Sequence, residues 1–258
     1  MSMGLLYDGT QCINCGECSN ACKKENKLPK EVEARPTAYT WTTVEDHNGA
    51  YMRRLCMHCL EPTCASVCPV GAIQKTKEGP VVYDSTKCFG CRYCIQACPF
   101  DVPKYQWDSP VPIMGKCRFC TDRLKAGKQT ACAEACPTGA TLFGEREDLL
   151  KEARARIAKN PRTKQNPGGY TDHIYGVEEA GGTSVLMLSS VPFADLGLKT
   201  DMPRQPLPLL TWQVLSKVPD FVLLAGAFLF GLHSARIKHH FIILNAGEDG
   251  RMAVVETT

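Results

Sequence analysis

Sixteen cysteines in 258 residues fall into four groups of four, with none left over. The groups are Cys12, Cys15, Cys18 and Cys22; Cys56, Cys59, Cys64 and Cys68; Cys88, Cys91, Cys94 and Cys98; and Cys117, Cys120, Cys132 and Cys136. The third reads C-F-G-C-R-Y-C-I-Q-A-C-P, an iron–sulfur ligand run of the form C-x2-C-x2-C-x3-C-P. Four quartets imply four [4Fe–4S] clusters, and four clusters in so small a chain imply a relay for single electrons.

The spacing also bears on which cysteines meet. A C-x2-C-x2-C loop wraps three thiolates around one cubane. The fourth cysteine, three residues on, has entered the next turn of backbone and points elsewhere. In two-cluster ferredoxins that cysteine serves the other cluster, so two runs interlock. The second and third groups are joined by a short strand-like link (residues 79–84), the layout of such a module. The interlock predicts one cluster on Cys56, Cys59, Cys64 and Cys98 and another on Cys68, Cys88, Cys91 and Cys94. By the same logic the outer groups pair, giving one cluster on Cys12, Cys15, Cys18 and Cys136 and one on Cys22, Cys117, Cys120 and Cys132. Pro69, Pro99 and Pro137 follow the last cysteine of three groups and end local pairing there; Lys23 stands at that place in the first.

Other cysteine chemistries fit less well. Repeated C-x2-C spacing puts sulfurs too close in sequence for a dispersed disulfide framework. Structural zinc sites use C-x2-C pairs but do not repeat C-x2-C-x2-C-x3-C-P. A single zinc or [3Fe–4S] site would sit best at the fourth group, where eleven residues separate Cys120 from Cys132. Glycines and small residues inside the loops (Gly16, Ser19, Gly90, Ala97) let backbone approach a cubane closely. The chain shows no nucleophile–base motif and no phosphate-cradling glycine loop, so it is expected not to be catalytic alone.

A net charge of +3 is too weak to argue for nucleic acid, and the scattered Lys and Arg residues are expected on a solvated surface. Residues 1–144 are too rich in cysteine motifs to build a large apolar core, so metal binding must organise them. Residues 145–159 predict a helix with Leu149, Leu150, Ala153 and Ile157 on one face, packed against the cluster-bearing domain. Pro161 stops it. Residues 160–210 are rich in Pro and Gly, with one strand candidate at 184–188, and are expected to form an extended arm draped over a partner.

Residues 221–232 (FVLLAGAFLFGL) are uninterruptedly apolar. A membrane span needs about twenty residues, and extension upstream to Leu210 supplies that length at the cost of including Lys217, Pro219 and Asp220. A single transmembrane helix over 210–236 follows, with Lys217 snorkelling and Trp212 at an interface. Arg236, Lys238, His239 and His240 come after it, which puts this end in the cytoplasm and the cluster domain on the outer, periplasmic face. Residues 237–258 are then a polar tail. His233, near the end of the apolar run, is either a helix-end residue at the interface or lies near a haem or quinone. Residues 1–11 show no charged region followed by an apolar run, and the pair Arg53-Arg54 is internal and irrelevant to export. The export signal is therefore expected on a partner, or removed by processing.

With the quartets and the tail in view, the chain resembles the iron–sulfur β subunits of membrane-bound respiratory oxidoreductases, above all those of formate dehydrogenase and of quinone-linked uptake [NiFe] hydrogenases. The resemblance lies in Leu5-Leu6-Tyr7-Asp8, C-M-H-C-L-E-P-T-C (56–64), C-R-Y-C (91–94), C-P-F-D-V-P-K-Y (98–105), A-C-P-T-G-A (135–140) and H-I-Y-G-V-E-E-A-G-G-T-S-V (173–185). It implies an α+β fold of two ferredoxin-like [4Fe–4S] modules in a pseudo-twofold arrangement, with an extended arm and a single C-terminal transmembrane helix. It further implies a linear row of clusters between two partners. One is a large catalytic subunit carrying a NiFe centre or a molybdenum or tungsten bis-pterin. The other is a quinone-reactive membrane subunit, a b-type cytochrome or a haem-free protein. A soluble polyferredoxin shuttling between enzymes is the alternative; it would need neither the arm nor the apolar tail.

Overall fold

In a computed structural model that describes residues 2–244, the chain begins with the strand that everything else is built around. Strand β1 (Met3–Asp8) leads into the first cysteine loop and helix α1 (Glu17–Glu25), then a hairpin of β2 (Thr43–His47) and β3 (Ala50–Arg54). The middle of the chain is made of short pieces: α2 (Thr63–Ser66), a hairpin of β4 (Ile73–Lys75) and β5 (Val81–Tyr83), α3 (Tyr93–Ala97), and a hairpin of β6 (Lys104–Tyr105) and β7 (Met114–Gly115). Helices α4 (Thr121–Lys125) and α5 (Ala131–Glu134) precede β8 (Thr141–Glu145), which runs straight into α6 (Arg146–Lys159). After a long irregular stretch come β9 (Val185–Leu188), α7 (Leu207–Leu215) and α8 (Val218–Leu244). The result is an α+β fold of small, mainly antiparallel sheets with one long apolar helical segment at its C-terminal end.

Strand β1 is the middle of a three-stranded sheet, antiparallel to β8 (Tyr7 opposite Thr141) and parallel to β9 (Leu5 opposite Val185). Successive side chains on a strand point to opposite faces. Leu5 and Tyr7 of β1, with Val185 and Met187 of β9, therefore join one core with Met52, Met57, Phe119, Tyr175 and Phe193. Leu6, Leu186 and Leu188 join the other, with Leu149, Leu150 and Ala153 of α6. Both faces are covered, which is why β1 and β9 read as continuous apolar runs rather than alternating ones.

The helix expected over 145–159 thus forms as Arg146–Lys159, with Leu149, Leu150 and Ala153 buried against the sheet and Ile157 partly so. Its C-terminal end is tied to β1 by a buried charge. Asp8 accepts hydrogen bonds from Arg156 Nη1 (2.7 Å), Tyr170 Oη (2.7 Å) and Thr10 Oγ1 (2.6 Å), so the carboxylate is both paired and hydrogen-bonded.

The segment read as an extended arm behaves differently over part of its length. The strand candidate does form, but it adds to β1 of this same chain, and Val185–Leu188 is buried throughout. The apolar core expected to be lacking is supplied by β1, β8, β9 and α6, which lie outside the cysteine motifs.

Residues from Leu210 onward form a unit of their own. The helical segment Leu207–Arg236 spans 30 residues, long and apolar enough to cross a membrane. Its apolar window is not buried within the chain. It is interrupted at Ser216 and Lys217, one turn before Pro219, whose ring clashes with the carbonyl four residues back and which donates no hydrogen bond. Where a single helix and then a polar tail from 237 were expected, α8 continues as helix to Leu244. Residues 245–258 lie outside the described residues.

Leu186→Ala is expected to destabilise the folded chain by about 2–5 kcal/mol, as for other fully buried leucines. A thermal melt checks this; a change no larger than that of an exposed substitution would show that β9 is dispensable to the core.

Candidate metal centre

The four cysteine loops share one backbone device. The residue just before the second cysteine of each has a positive φ: Asn14 (54°), His58 (47°), Gly90 (81°) and Phe119 (58°). Three of these are not glycine, and the left-handed region costs a non-glycine residue about 1–2 kcal/mol. The turn recurs because it bends the chain tightly enough for both sulfurs of a C-x2-C pair to face one point. At Gly90 a side chain is also excluded by packing, since a Cβ there would meet Tyr105 Oη at 2.7 Å. Backbone N–H groups turn towards sulfur nearby, with Phe119 N 3.4 Å from Cys117 Sγ and Ala72 N 3.2 Å from Cys68 Sγ.

All sixteen cysteines are free thiols. Cys12, Cys15, Cys18 and Cys136 line one cavity, together with Tyr7, Val44 and Thr141. Cys22, Cys117, Cys120 and Cys132 line a second, together with Leu5, Thr42 and Arg53. Cys59 has Cys56, Cys98 and Cys64 as its charged neighbours. Cys94 has Cys88, Cys91 and Cys68. Local packing follows the same division, α1 lying against α5 and α2 against α3. Neighbouring quartets lie close enough to influence one another's charge: Cys18 with Cys132, Cys117 with Cys56, and Cys64 with Cys94.

These thiols sit where ionisation is costly. Burial, then repulsion from Cys132 and Cys120, pushes Cys22 up to about 12. Burial, then Cys56, does the same to Cys64. Cys98 is pushed up to about 11, chiefly by burial, and Cys59 and Cys117 stand well above the ordinary thiol value for the same reason. Cys132 and Cys136 go the other way. At Cys132 burial is the largest influence and opposes ionisation, but the Arg53 charge together with hydrogen bonds from Arg53, Thr130 and the backbone outweighs it. At Cys136 burial is outweighed by hydrogen bonds from the Thr141 backbone and from Thr138. Four thiolates in such a cavity require a multivalent cation. Among the described residues, no three His, Cys, Asp or Glu side chains are gathered tightly enough to hold a single metal ion.

Several buried cations were not legible in the sequence, and the expectation that the Lys and Arg residues are all solvated needs correcting. Lys23, Arg53 and Lys116 are buried. Lys23, at the place proline holds in the other groups, donates to the Tyr39 carbonyl at 3.1 Å. Lys116 donates to the Val81 carbonyl and, at 3.0 Å, to that of Cys117. Half-buried Lys75 donates to the Cys59 carbonyl at 2.7 Å, and burial holds it down to about 8. The only hint was negative: in a chain short of apolar core, a charge beside a cysteine motif has few ways to be solvated.

His58, between Cys56 and Cys59, is fully buried and held well below the ordinary imidazole value by burial and by Lys116 and Lys75. Val81 N donates to its Nδ1 at 2.9 Å, which puts the proton on Nε2. That N–H has no partner among the described residues. His233, by contrast, is exposed on α8.

Comparison with known proteins agrees with this geometry. A 4Fe-4S dicluster domain matches residues 47–146, and a 4Fe-4S binding domain matches residues 12–26. A protein of Nitratidesulfovibrio vulgaris is 41% identical over 250 residues, covering 88% of this chain and 66% of that protein. The hydrogenase-2 operon protein HybA of Escherichia coli O157:H7 is 38% identical over 238 residues, covering 76% of this chain and 73% of its own length. The formate dehydrogenase iron-sulfur subunit of Haemophilus influenzae is 31% identical over 261 residues, covering 92% and 80%.

Cys136→Ser is expected to abolish the cluster built on Cys12, Cys15 and Cys18 while sparing the one built on Cys117, Cys120 and Cys132. Iron content and EPR of the variant check this; loss of the Cys117 cluster alone would break the interlock.

Proposed function

This chain belongs to the family of [4Fe–4S]-binding iron–sulfur subunits of respiratory hydrogenase and formate dehydrogenase complexes, and we propose that it relays single electrons through four [4Fe–4S] clusters between a catalytic subunit and a quinone-reactive membrane subunit. It is a non-catalytic subunit, like those relatives. The catalytic partner is of the hydrogenase type or of the molybdenum or tungsten formate dehydrogenase type.

The observation that supports the proposal is the lining of two cavities by four cysteines each, drawn from the first and fourth groups, with the cysteines of the second and third groups influencing one another's charge in the same interlocked way. The ligand sets are Cys12, Cys15, Cys18 and Cys136; Cys22, Cys117, Cys120 and Cys132; Cys56, Cys59, Cys64 and Cys98; and Cys68, Cys88, Cys91 and Cys94. The donor chemistry suits a cubane. Several of the thiols, Cys22, Cys59, Cys64, Cys98 and Cys117 among them, are held back from ionising by burial, backbone N–H groups face sulfur, and the orphaned His58 Nε2–H can donate to a sulfide. Bound in these quartets, the clusters supply one-electron storage at successive points.

The chain's own residues do the rest. The loops hold each thiolate in place, and the sheet core fixes the first and fourth cysteine groups against each other. The pairing of α1 with α5 and of α2 with α3 supports two ferredoxin-like modules related by a pseudo-twofold axis. The mutual charge influence of neighbouring quartets supports a single row, beginning at the Cys12 quartet and ending at the Cys88 quartet. In this reading residues 1–144 carry the clusters, residues 145–209 brace them, and residues 210–236 cross the membrane once. The run of Arg236, Lys238, His239 and His240 favours a cytoplasmic C-terminus and a cluster domain on the periplasmic face.

Donor-dependent reduction of the intact complex tests the proposal. The complex is solubilised anaerobically from native membranes and offered H2 or formate separately, with bleaching and cluster EPR signals as the readout. Bleaching by one donor alone identifies the catalytic partner. Bleaching by dithionite but by neither donor keeps the relay and excludes both partners. A chain that dithionite cannot bleach is not a relay.

A further inference from the structure

Arg53, on β3, carries the largest fully buried side chain among the described residues. Buried charges are nearly always paired with an opposite charge. Here Nε donates to Thr42 Oγ1 at 2.9 Å and Nη1 donates to Thr141 Oγ1 at 3.0 Å, both neutral hydroxyls. Among the described residues no carboxylate forms an ion pair with it. The adjacent Arg54, in contrast, is paired with Glu45 at 2.8 Å.

Arg53 and Thr42 line the cavity of Cys22, Cys117, Cys120 and Cys132, while Thr141, held by Nη1, lines the cavity of Cys12, Cys15, Cys18 and Cys136. The guanidinium therefore stands between two quartets, clamped by one hydroxyl from the wall of each. We infer that Arg53 is the fixed counter-charge shared by these two quartets, and that it raises the reduction potentials of the clusters they hold.

This inference rests on the reading that the quartets bind clusters. Reduction adds one electron and no proton, so the site gains one negative charge. A nearby cation stabilises the reduced state more than the oxidised one, and does so strongly where water is excluded. Arginine suits the task because it does not deprotonate in proteins, so the bias does not vary with pH. The other buried cations are placed differently. Lys75 donates to the carbonyls of His58 and Cys59, and Lys116 to those of Val81 and Cys117, so neither is held between the two cavities by a hydroxyl from each wall.

The test is a dithionite redox titration of the intact complex, followed by EPR, on Arg53→Gln and Arg53→Lys. Glutamine keeps a donor and removes the charge; lysine keeps the charge and changes the shape. In Arg53→Gln the one-electron reduction constants of two of the four clusters are expected to fall about tenfold or more, about 59 mV each, with the other two unmoved. In Arg53→Lys all four are expected to stay close to the unsubstituted chain. No shift in Arg53→Gln, equal shifts at all four clusters, or equal effects of both substitutions would overturn the inference. If Arg53→Gln fails to retain iron, Arg53→Lys decides: full iron content there supports the charge role, and loss in both overturns it. Iron and sulfide content of the unsubstituted chain reports separately on the cluster reading.

Discussion

The cavity of Cys12, Cys15, Cys18 and Cys136 and that of Cys22, Cys117, Cys120 and Cys132 each take thiols from two places far apart in sequence, and much of the fold follows from closing those distances. Strand β1 ends at Asp8, just before Cys12, and β8 begins at Thr141, just after Cys136. Bringing Cys136 beside Cys12, Cys15 and Cys18 therefore lays β8 against β1 in register, with Tyr7 opposite Thr141. The central sheet and the first quartet are one closure. Strand β9 then completes the sheet, and α6, running directly out of β8, caps its second face. Apolar burial and sulfur convergence reinforce each other, which is how the many short helices and strands of the cysteine region are held in place.

The same convergence creates an electrostatic problem. Thiols pushed up to about 11 or 12 by burial and by one another resist ionisation. The fold answers with cations that form no ion pair with a carboxylate among the described residues and with turned backbone N–H groups. Arg53 reaches the walls of the first two cavities, Lys75 bonds the Cys59 carbonyl and Lys116 that of Cys117. Cys132, beside Arg53, shows the consequence directly in its lowered thiol value. The charge of these residues is matched to the sulfur cavities rather than to other side chains.

The cysteine motifs were legible because their chemistry is local: a C-x2-C loop has few ways to aim two sulfurs, and the four recurrent positive-φ turns confirm that shared geometry. The α6 helix was legible because its apolar residues repeat at helical spacing. What escaped were features whose meaning lies in a distant partner. Residues 185–188 read as a strand, but nothing local says that it pairs in parallel with β1. Arg53 read as one surface charge of a pair, although Arg53 is buried and Arg54 is engaged by Glu45. The break before Pro219 was readable in principle, yet the length needed for a span hid it.

The count of iron and sulfide per chain tests the central claim most directly. Four cubanes bind four irons and four sulfides each, so anaerobically purified chain is predicted to carry sixteen of each, about the stoichiometry of four [4Fe–4S] clusters, with a matching mass increment by native mass spectrometry. Bound zinc in a colourless protein, or iron enough for only two clusters with the Cys12 and Cys117 quartets unfilled, would contradict the account.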